Sequence, residues 1–294
     1  MASALDRPLQ ALRSLVPRRF RSDVPIVPVV RLSGIIGFST PLKPGLTLAS
    51  VARALDRAFS FRNARAVALS INSPGGSAVQ SHLIFQRIRA LAAEKKLPVI
   101  AVIEDVGASG GYMVACAADE IVCDTSSIVG SIGVVGGSFG FHKLAEKLGI
   151  ERRLYTSGER KAMLDPFLPE KPEDVERLKA IQREIHESFI ALVKERRDGK
   201  LNGGEVDLFS GEYWTGRRSR ELGLVDAVGD LRGTLRERFG DKVKMPLMAE
   251  RGFFGRRPPG VAGHALDSIW NHPSLAEDLV SAFEARALWA RYGL

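Results

Sequence analysis

The sequence predicts an α/β domain, a layered fold in which parallel strands alternate with helices. Three short apolar runs, at residues 66–71, 98–103 and 120–123, have the length and the residue types of buried strands. The first two are each followed by a stretch typical of a helix, at residues 77–96 and 112–118. Repeated strand–helix order of this kind favours a sheet whose strands are joined by crossover helices.

Further elements extend this pattern on both sides. An apolar stretch at residues 25–37 predicts the first strand region, and residues 46–59 are predicted to form a helix with Thr47 as its N-cap. Downstream, residues 154–156 predict a short strand. Residues 172–197 predict a long amphipathic helix, because their apolar side chains recur on one face.

Three segments are predicted along the chain. Residues 1–23 are predicted to form an amphipathic N-terminal helix, since leucines recur at helical spacing among several arginines. Residues 24–240 contain the repeated strand–helix units and are predicted to form the main domain. The pattern weakens after Gly240, so residues 241–294 are predicted to be a C-terminal extension with a terminal helical part.

The composition is that of a globular domain with a moderate positive charge. The 294 residues are 45% hydrophobic and 26% charged, and the net charge is +8. Because no basic stripe interleaves with aromatic residues, nucleic-acid binding is not expected. No stretch predicts a transmembrane helix or a signal peptide. The two cysteines, Cys116 and Cys123, lie among small apolar residues and predict reduced core positions, in agreement with a cytoplasmic setting.

A serine between a strand and a helix is the first candidate for catalysis. Ser109 follows the strand at 98–103 and precedes two glycines, Gly110 and Gly111, at the start of the next helix. Glycines permit sharp turns, and a serine on such a turn can expose its hydroxyl as a nucleophile. The helix start offers free N–H groups to a developing oxyanion. The alternative is that Ser109 only caps the helix.

A second glycine-rich turn follows the strand at 66–71. Asn72-Ser73-Pro74-Gly75-Gly76 ends that strand and opens a helix. In a layered sheet, two such turns can meet at neighbouring strand ends. One turn could then present a nucleophile while the other presents a backbone N–H group, which is the arrangement that acyl transfer requires.

Five motifs in this order identify a family resemblance. The chain resembles the signal peptide peptidase A (protease IV) family of serine peptidases over about residues 25–240, in its single-copy, half-length form. The resemblance rests on Asn72–Gly76, Ala108-Ser109-Gly110-Gly111-Tyr112, Gly130-Ser131-Ile132-Gly133-Val134, Ser157-Gly158-Glu159-Arg160-Lys161 and Gly223-Leu224-Val225-Asp226. It implies a fold similar to the Clp protease and crotonase superfamily, and a peptidase that needs no metal or other cofactor.

The resemblance also implies a role for each matching residue. Ser109 would be the nucleophile and Lys161 the general base of a Ser–Lys dyad, with Ser131 orienting the lysine. The N–H groups of Gly75 and Gly110 would form the oxyanion hole. The glycines that would support the two turns are Gly76 and Gly111.

A lysine base places a demand on its surroundings. An amine accepts a proton only when it is neutral, so the pKa of such a lysine must fall from about 10.4 toward neutrality. Removal from water has this effect because it disfavours the charged form. Lys161 is therefore expected to lie in an apolar pocket, for which Met163, Leu164 and Phe167 are the nearby candidates.

The expected partners follow from the same resemblance. They are peptide substrates of signal-peptide-like or unfolded hydrophobic sequence, and further copies of the chain in a closed homo-oligomeric ring. In such rings serine and lysine come from neighbouring subunits. Family members typically have an N-terminal membrane anchor, and no stretch of this sequence predicts one. The expected location is cytoplasmic, with residues 1–23 as a candidate for peripheral contact with the inner membrane.

Other functions remain open from the residues alone. A Ser-His-Asp peptidase would need a histidine base, for which His142 and His82 are the candidates near the motifs. A crotonase-like acyl-CoA enzyme would use the glycine N–H groups to stabilise an enolate, leaving Ser109 incidental. A non-catalytic, membrane-associated scaffold is the third alternative.

Overall fold

The computed structural model describes residues 24–37, 45–158, 160–204, 208–248 and 286–294. The helix predicted at residues 1–23 lies outside the described residues, as do residues 249–285 of the predicted C-terminal extension.

A seven-stranded sheet forms the centre of the fold. Five strands lie in the spatial order β1-β2-β3-β4-β7, and every neighbouring pair in this row is parallel. This arrangement confirms the predicted α/β class with its repeated strand–helix units. The strands are β1 (Val29–Ser33), β2 (Val67–Ser73), β3 (Val99–Ala108), β4 (Glu120–Cys123), β5 (Ile128–Gly130), β6 (Tyr213–Thr215) and β7 (Ala227–Val228).

Strand β3 has two partners along its length. Its first half pairs with β4 through residues 100–103, and its second half pairs with β5 through residues 106–108. Strand β6 then adds to β5 in antiparallel orientation. The prediction ended this strand at residue 103 because Glu104 and Asp105 interrupt the apolar run. The ladder with β5 carries the strand onward to Ala108, and Ser109 therefore emerges beside β5.

Helices cover both faces of the sheet. Thr47 caps the first helix as predicted, in a reciprocal capping box with Ser50. The turn that carries Ser109 leads directly into a short helix. The helices are α1 (Leu48–Phe59), α2 (Ala78–Lys95), α3 (Gly110–Ala115), α4 (His142–Lys147), α5 (Pro172–Arg196), α6 (Gly216–Glu221) and α7 (Leu231–Phe239).

The core has one large and one smaller cluster. The large cluster packs α1, α2, α3 and the end of α5 against the sheet. The smaller cluster lies on the other face, where Leu235 of α7 and two residues beyond it, Val243 and Met245, cover β1–β4. Residues 243–248 run beside β1, with bridges from Lys244 and Leu247. The first residues of the predicted C-terminal extension thus pack on the sheet.

Both cysteines lie in the core, as the sequence predicted. Cys116 and Cys123 are buried and form no disulfide. Burial raises the pKa of each thiol to about 12, so both remain protonated and unreactive at neutral pH.

The strand predicted at residues 154–156 is wrong. These residues are extended without a ladder partner, and Tyr155 is 90% exposed. A short run of β-forming residues becomes a strand only where a neighbouring strand is available, and none lies beside this segment in the described part of the chain.

The Gly223–Asp226 motif contacts two helices, α5 and α3. Arg197, which is buried at the end of α5, donates two hydrogen bonds to the Gly223 carbonyl (2.9 and 2.7 Å) and one to the Asp226 carboxylate (2.8 Å). The Tyr112 hydroxyl of α3 donates to the Leu224 carbonyl (2.7 Å). The motif is therefore a structural link between α5 and the helix that follows Ser109.

We expect Asp226→Asn to destabilise the protein by about 3 kcal/mol at neutral pH, because it leaves the buried Arg197 without its counter-ion. Burial alone would raise the pKa of Asp226, but hydrogen bonds from Arg197 and Lys200 outweigh it and lower the pKa below its usual value. A depressed carboxyl pKa stabilises the fold above about pH 4 and loses this effect as pH falls through the folded-state pKa. The difference between wild type and variant should shrink toward pH 2.

Urea unfolding between pH 2 and 7 measures this difference. Glu176→Gln is the control, because it breaks an exposed ion pair with Lys179 on the surface of α5 and is expected to leave stability nearly unchanged. A constant Asp226→Asn deficit across the whole pH range would contradict the linkage.

Candidate active site

Ser109 lies on a strained turn between β3 and α3. Its backbone angles are φ 52° and ψ −124°, a conformation that non-glycine residues rarely adopt. The Ser109 N–H group donates to the Gly130 carbonyl at 2.8 Å, which ties the turn to the end of β5. Although Ser109 occupies the N-cap position of α3, its side chain makes no capping hydrogen bond. The half-buried hydroxyl is therefore not used to stabilise the helix start.

The helix behind Ser109 is fixed at its far end. Arg196, in the last turn of α5, donates to the carbonyl of Cys116 at 2.9 Å and to that of Ala118 at 3.0 Å. These carbonyls close the C-terminal end of α3, and the bond from Tyr112 to Leu224 holds its middle. Fixed supports of this kind keep a reactive side chain in one position.

The two glycine-rich turns meet, as the sequence predicted. Gly75 has φ +98°, and a side chain there would come within 2.7 Å of Ser109 Cβ and 2.9 Å of the Gly110 nitrogen. Only glycine permits both this backbone conformation and this approach. Gly75 and Gly110 therefore flank Ser109 from opposite turns.

The supporting glycines are equally enclosed. A Cβ atom on Gly76 would overlap the carbonyl oxygen of Ile36 at 2.1 Å, and one on Gly111 would lie 2.4 Å from the carbonyl oxygen of Ser73.

In this single chain, the Gly75 N–H group donates to Ser73 Oγ at 3.2 Å. The Ser73 hydroxyl in turn donates to the Gly34 carbonyl at 2.7 Å.

Ser131 lies next to this turn in a second strained conformation. Its φ is +53°, and its N–H group donates to the Glu212 carbonyl at 2.6 Å. The side chain is buried, and its Oγ accepts a hydrogen bond of 3.3 Å from the hydroxyl of Tyr292. Because Ser109 bonds the carbonyl of the residue before Ser131, the two serines are placed by the same strand end.

A cavity of about 490 Å³ opens over these residues. Arg291 is the one charged side chain among the described residues that line it. The others are uncharged, and several are apolar, which suits a binding site for an apolar peptide side chain. The lining includes Ser109, Gly110, Ser131, Met113, Val134, Ile185, Phe189 and Tyr292.

A larger cavity, of about 790 Å³, lies on the sheet face of the smaller core cluster. Its acidic side chains already have structural partners: Glu104 accepts from Ser70 and Arg31, Asp124 from the Ser126 N–H, and Asp230 caps α7. It contains neither glycine-rich turn, so its size does not make it the better candidate for catalysis.

Lys161 lies apart from this cavity in the single chain. It is exposed in a turn, and it is not among the residues that line the Ser109 cavity. The apolar pocket expected around it is not formed within one chain, since Met163 and Leu164 are only half-buried and Phe167 is 40% exposed. Asp165 points to Arg152 at 2.9 Å, which lowers the pKa of this carboxyl.

The described histidines do not line the Ser109 cavity. His82 is exposed and stacks on Phe85, and His142 begins the short helix α4. His186 lies closer, with its Nε2 atom 3.0 Å from the carbonyl oxygen of Ile132, so it bonds the backbone beside Ser131. Within a single chain, neither histidine considered from the sequence is placed to act as a base for Ser109.

The sequence did not predict the contribution of residues 286–294. These residues include a short helix, 286–290, and bring Leu288, Arg291 and Tyr292 to the cavity. No motif marks them. The sequence feature that could have indicated a packing role is the pair Trp289 and Tyr292, because a spacing of three residues places two aromatic rings on one side of a helical turn.

Comparisons with known proteins show what this chain is similar to. The model of peptidase family S49 matches residues 91–241. A Brucella abortus protein named Na(+)/H(+) antiporter NhaA is 54% identical over 290 residues, or 96% of this chain and 39% of that protein. The chloroplastic serine protease SPPA of Arabidopsis thaliana is 37% identical over 168 residues, or 57% of this chain and 24% of that protein. A solved structure, a mutant of the 1510-N membrane-bound stomatin-specific protease, matches with a TM-score of 0.49 and 18% identity, over 77% of this chain and 99% of that chain.

This chain therefore spans less than half the length of both curated relatives. The antiporter name refers to the whole Brucella protein, of which the larger part lies outside the match. None of the helices in the described part of the present chain combines the length and apolar character needed to cross a bilayer.

The family match covers half of the chain and includes both Ser109 and Lys161. It confirms the resemblance that the five motifs predicted, and the Clp/crotonase-like fold expected with it agrees with the mostly parallel sheet. The chain belongs to peptidase family S49, a family of serine peptidases that includes signal peptide peptidase A.

Proposed function

We propose that this chain is a serine endopeptidase that hydrolyses signal-peptide-like or unfolded hydrophobic peptides, with Ser109 as nucleophile and Lys161 as general base. The observation that carries the proposal is the state of Ser109. Its backbone is held in a strained conformation while its hydroxyl takes no part in capping the helix. Strain that persists without a structural use is typical of functional sites.

The reaction follows from the groups around Ser109. The neutral amine of Lys161 takes the proton of the Ser109 hydroxyl as the oxygen attacks the carbonyl carbon of the scissile peptide bond. The N–H groups of Gly75 and Gly110 stabilise the negative charge on the carbonyl oxygen. The protonated lysine then gives its proton to the leaving amine. Water, activated by the same lysine, hydrolyses the acyl-enzyme and restores Ser109.

The oxyanion role requires a small rearrangement. The Gly75 N–H group donates to Ser73 Oγ over 3.2 Å, a long hydrogen bond that a substrate oxyanion can replace. Hydrogen bonds to charged groups are roughly twice as strong as those between neutral groups, which favours the exchange as charge develops.

We infer that Lys161 reaches Ser109 by association of chains. The segment that carries Lys161 is solvent-exposed and rich in apolar residues: Val135, Phe139 and Tyr155 are exposed by 74, 72 and 90%. We call residues 134–158 and 160–168 the apolar arm. Exposed apolar surface of this extent is typical of an interface. Packing the arm on a second copy, in a closed homo-oligomer, would remove both the apolar residues and Lys161 from water.

The cavity beside Ser109 supports an apolar peptide as substrate. Met113, Val134 and Phe189 line it and can contact an aliphatic side chain next to the scissile bond. A cationic side chain at that position would lose its hydration without gaining a counter-ion, since Arg291 is the one charged residue among the described residues that line the cavity. We therefore propose a preference for small or apolar residues at the cleavage site.

Covalent labelling tests the proposed function. The protein is treated with an alkyl fluorophosphonate, the labelled residue is located by mass spectrometry, and hydrolysis of quenched-fluorescence peptides is followed in parallel. We expect one label per active chain, on Ser109, and a loss of hydrolysis in proportion to labelling. Peptides with leucine or alanine at the cleavage site should be cut, and matched peptides with lysine there should not.

Two outcomes would overturn the proposal. Hydrolysis that persists after complete labelling of Ser109 would place the nucleophile elsewhere. Turnover of acyl-CoA substrates by the labelled protein, together with no peptide hydrolysis by the unlabelled protein, would favour the crotonase-like alternative.

A further inference from the structure

Residues 286–294 lie against the strand ends that place the two serines. Trp289 and Tyr292 pack on Val106 and Ala108 of β3 and on Ile128 of β5. These strand residues lead directly to Ser109 and to Gly130 with Ser131. The segment therefore forms one wall of the cavity around Ser109 and leaves the cavity itself open.

Tyr292 has the most defined position in this segment. Its side chain is buried, and its ring meets the ring of Tyr213 edge-on, with 5.1 Å between the centroids. The Tyr213 hydroxyl donates to the Arg291 carbonyl at 3.1 Å, which ties the backbone beside Tyr292 to β6. The Tyr292 hydroxyl, at the buried end of the ring, donates to Ser131 Oγ at 3.3 Å.

We propose that Tyr292 is a positioning residue that holds the Ser131 hydroxyl in the orientation required by Lys161. The inference rests on the proposed function, in which Ser131 orients the lysine. It adds a residue outside the five family motifs and assigns residues 286–294 a part in the active site.

The hydrogen-bonding capacity of a serine hydroxyl supports this role. A hydroxyl has one hydrogen and two lone pairs, and its rotation is free unless a partner fixes it. The Tyr292 hydroxyl occupies one lone pair of Ser131 Oγ. The second lone pair remains for an N–H of the neutral lysine amine, whose own lone pair then faces Ser109. Without the Tyr292 hydroxyl, Ser131 can rotate and the amine loses its fixed direction.

The geometry also explains why this residue is tyrosine. Ring packing against Tyr213 and the strand residues would be satisfied equally by phenylalanine. A buried phenol hydroxyl costs free energy unless it is bonded, and this one finds its partner in Ser131. Packing therefore does not require the Tyr292 hydroxyl, and we expect its main effect to be on Ser131 in the active site.

Tyr292→Phe tests the inference, because it keeps the ring and removes only the hydroxyl. We expect kcat for an apolar peptide to fall about tenfold while KM stays within about twofold, since substrate contacts are unchanged. Tyr213→Phe is the matched control. It removes the other phenol hydroxyl that anchors this segment but does not touch Ser131, so its kcat should remain close to that of wild type.

A double-mutant cycle separates positioning from packing. In a Ser131→Ala background, Tyr292→Phe should have no further effect on kcat, because its partner is already absent. Equal kcat values for Tyr292→Phe and Tyr213→Phe would overturn the inference, as would effects of Tyr292→Phe and Ser131→Ala that simply multiply. Absence of Ser109-dependent hydrolysis in wild type would instead overturn the proposed function, and this inference with it.

Discussion

Replacing Ser109 by alanine is expected to lower kcat/KM for peptide hydrolysis by roughly 10⁴-fold, because it removes the only atom that attacks the substrate in the proposed mechanism. The fold should be retained. Alanine and serine have the same Cβ atom, so the strained backbone at φ 52° is neither relieved nor worsened. The Ser109 hydroxyl makes no capping hydrogen bond to α3, so its loss removes no bond that stabilises this helix. Steady-state hydrolysis and thermal unfolding of the same preparations measure the two effects.

Ser77→Ala provides the matched control. Ser77 also precedes a helix after a glycine-rich turn, but its Oγ accepts a capping hydrogen bond from the Gln80 N–H. We expect this variant to lose about 1 kcal/mol of stability while keeping its peptidase activity. The two variants are thus expected to have opposite outcomes. Ser109→Ala should lose activity and keep its stability, whereas Ser77→Ala should keep its activity and lose stability. Full activity in Ser109→Ala would contradict the proposed nucleophile.

Lys161→Ala is expected to reduce hydrolysis about as far as Ser109→Ala, because a serine hydroxyl without a base is a poor nucleophile. Lys161 is exposed in the single chain and does not line the Ser109 cavity, so its effect depends on association of chains. Size measurement in solution should accordingly show an assembly larger than one chain for wild type and for both variants.

Mixing the two inactive variants tests how the pair is assembled. Co-expressed Ser109→Ala and Lys161→Ala chains should recover about a quarter of wild-type activity if each site takes its serine and lysine from adjacent chains, since one adjacent pair in four then contains both intact residues. Each variant alone remains the inactive control. Mixed assemblies with no recovery would contradict a dyad shared between chains, and a fully active Lys161→Ala would contradict the dyad itself.

The sequence was informative wherever the pattern is local. The strand–helix order, the Thr47 cap and the buried cysteines were predicted from short stretches, and each agrees with the structure. The errors have a common cause. The strand at 98–103 was predicted too short and the strand at 154–156 does not form, because a strand exists where it has a partner, and partners are set by the fold.

The candidate site likewise has features that the sequence predicts and features that only the fold sets. The motifs identified the family and the candidate residues, and the meeting of the Gly75 and Ser109 turns followed from parallel strand order. The contacts made by Ser131 could not be predicted from strand order, because Tyr292 lies 161 positions further along the chain in a segment with no motif. The exposure of Lys161 was also unexpected, since a lysine near apolar residues in sequence need not be covered by them in space.

By itself, the sequence determined which turns carry the candidate residues Gly75 and Ser109 and which family the chain resembles, because turn chemistry and strand alternation are encoded in neighbouring residues. The tertiary structure alone decided that β3 extends to Ser109 by pairing with β5, that Tyr292 completes the surroundings of Ser131, and that Lys161 stays in solvent in a single chain. These features depend on ladder register and on packing between distant segments, which no short stretch of sequence specifies.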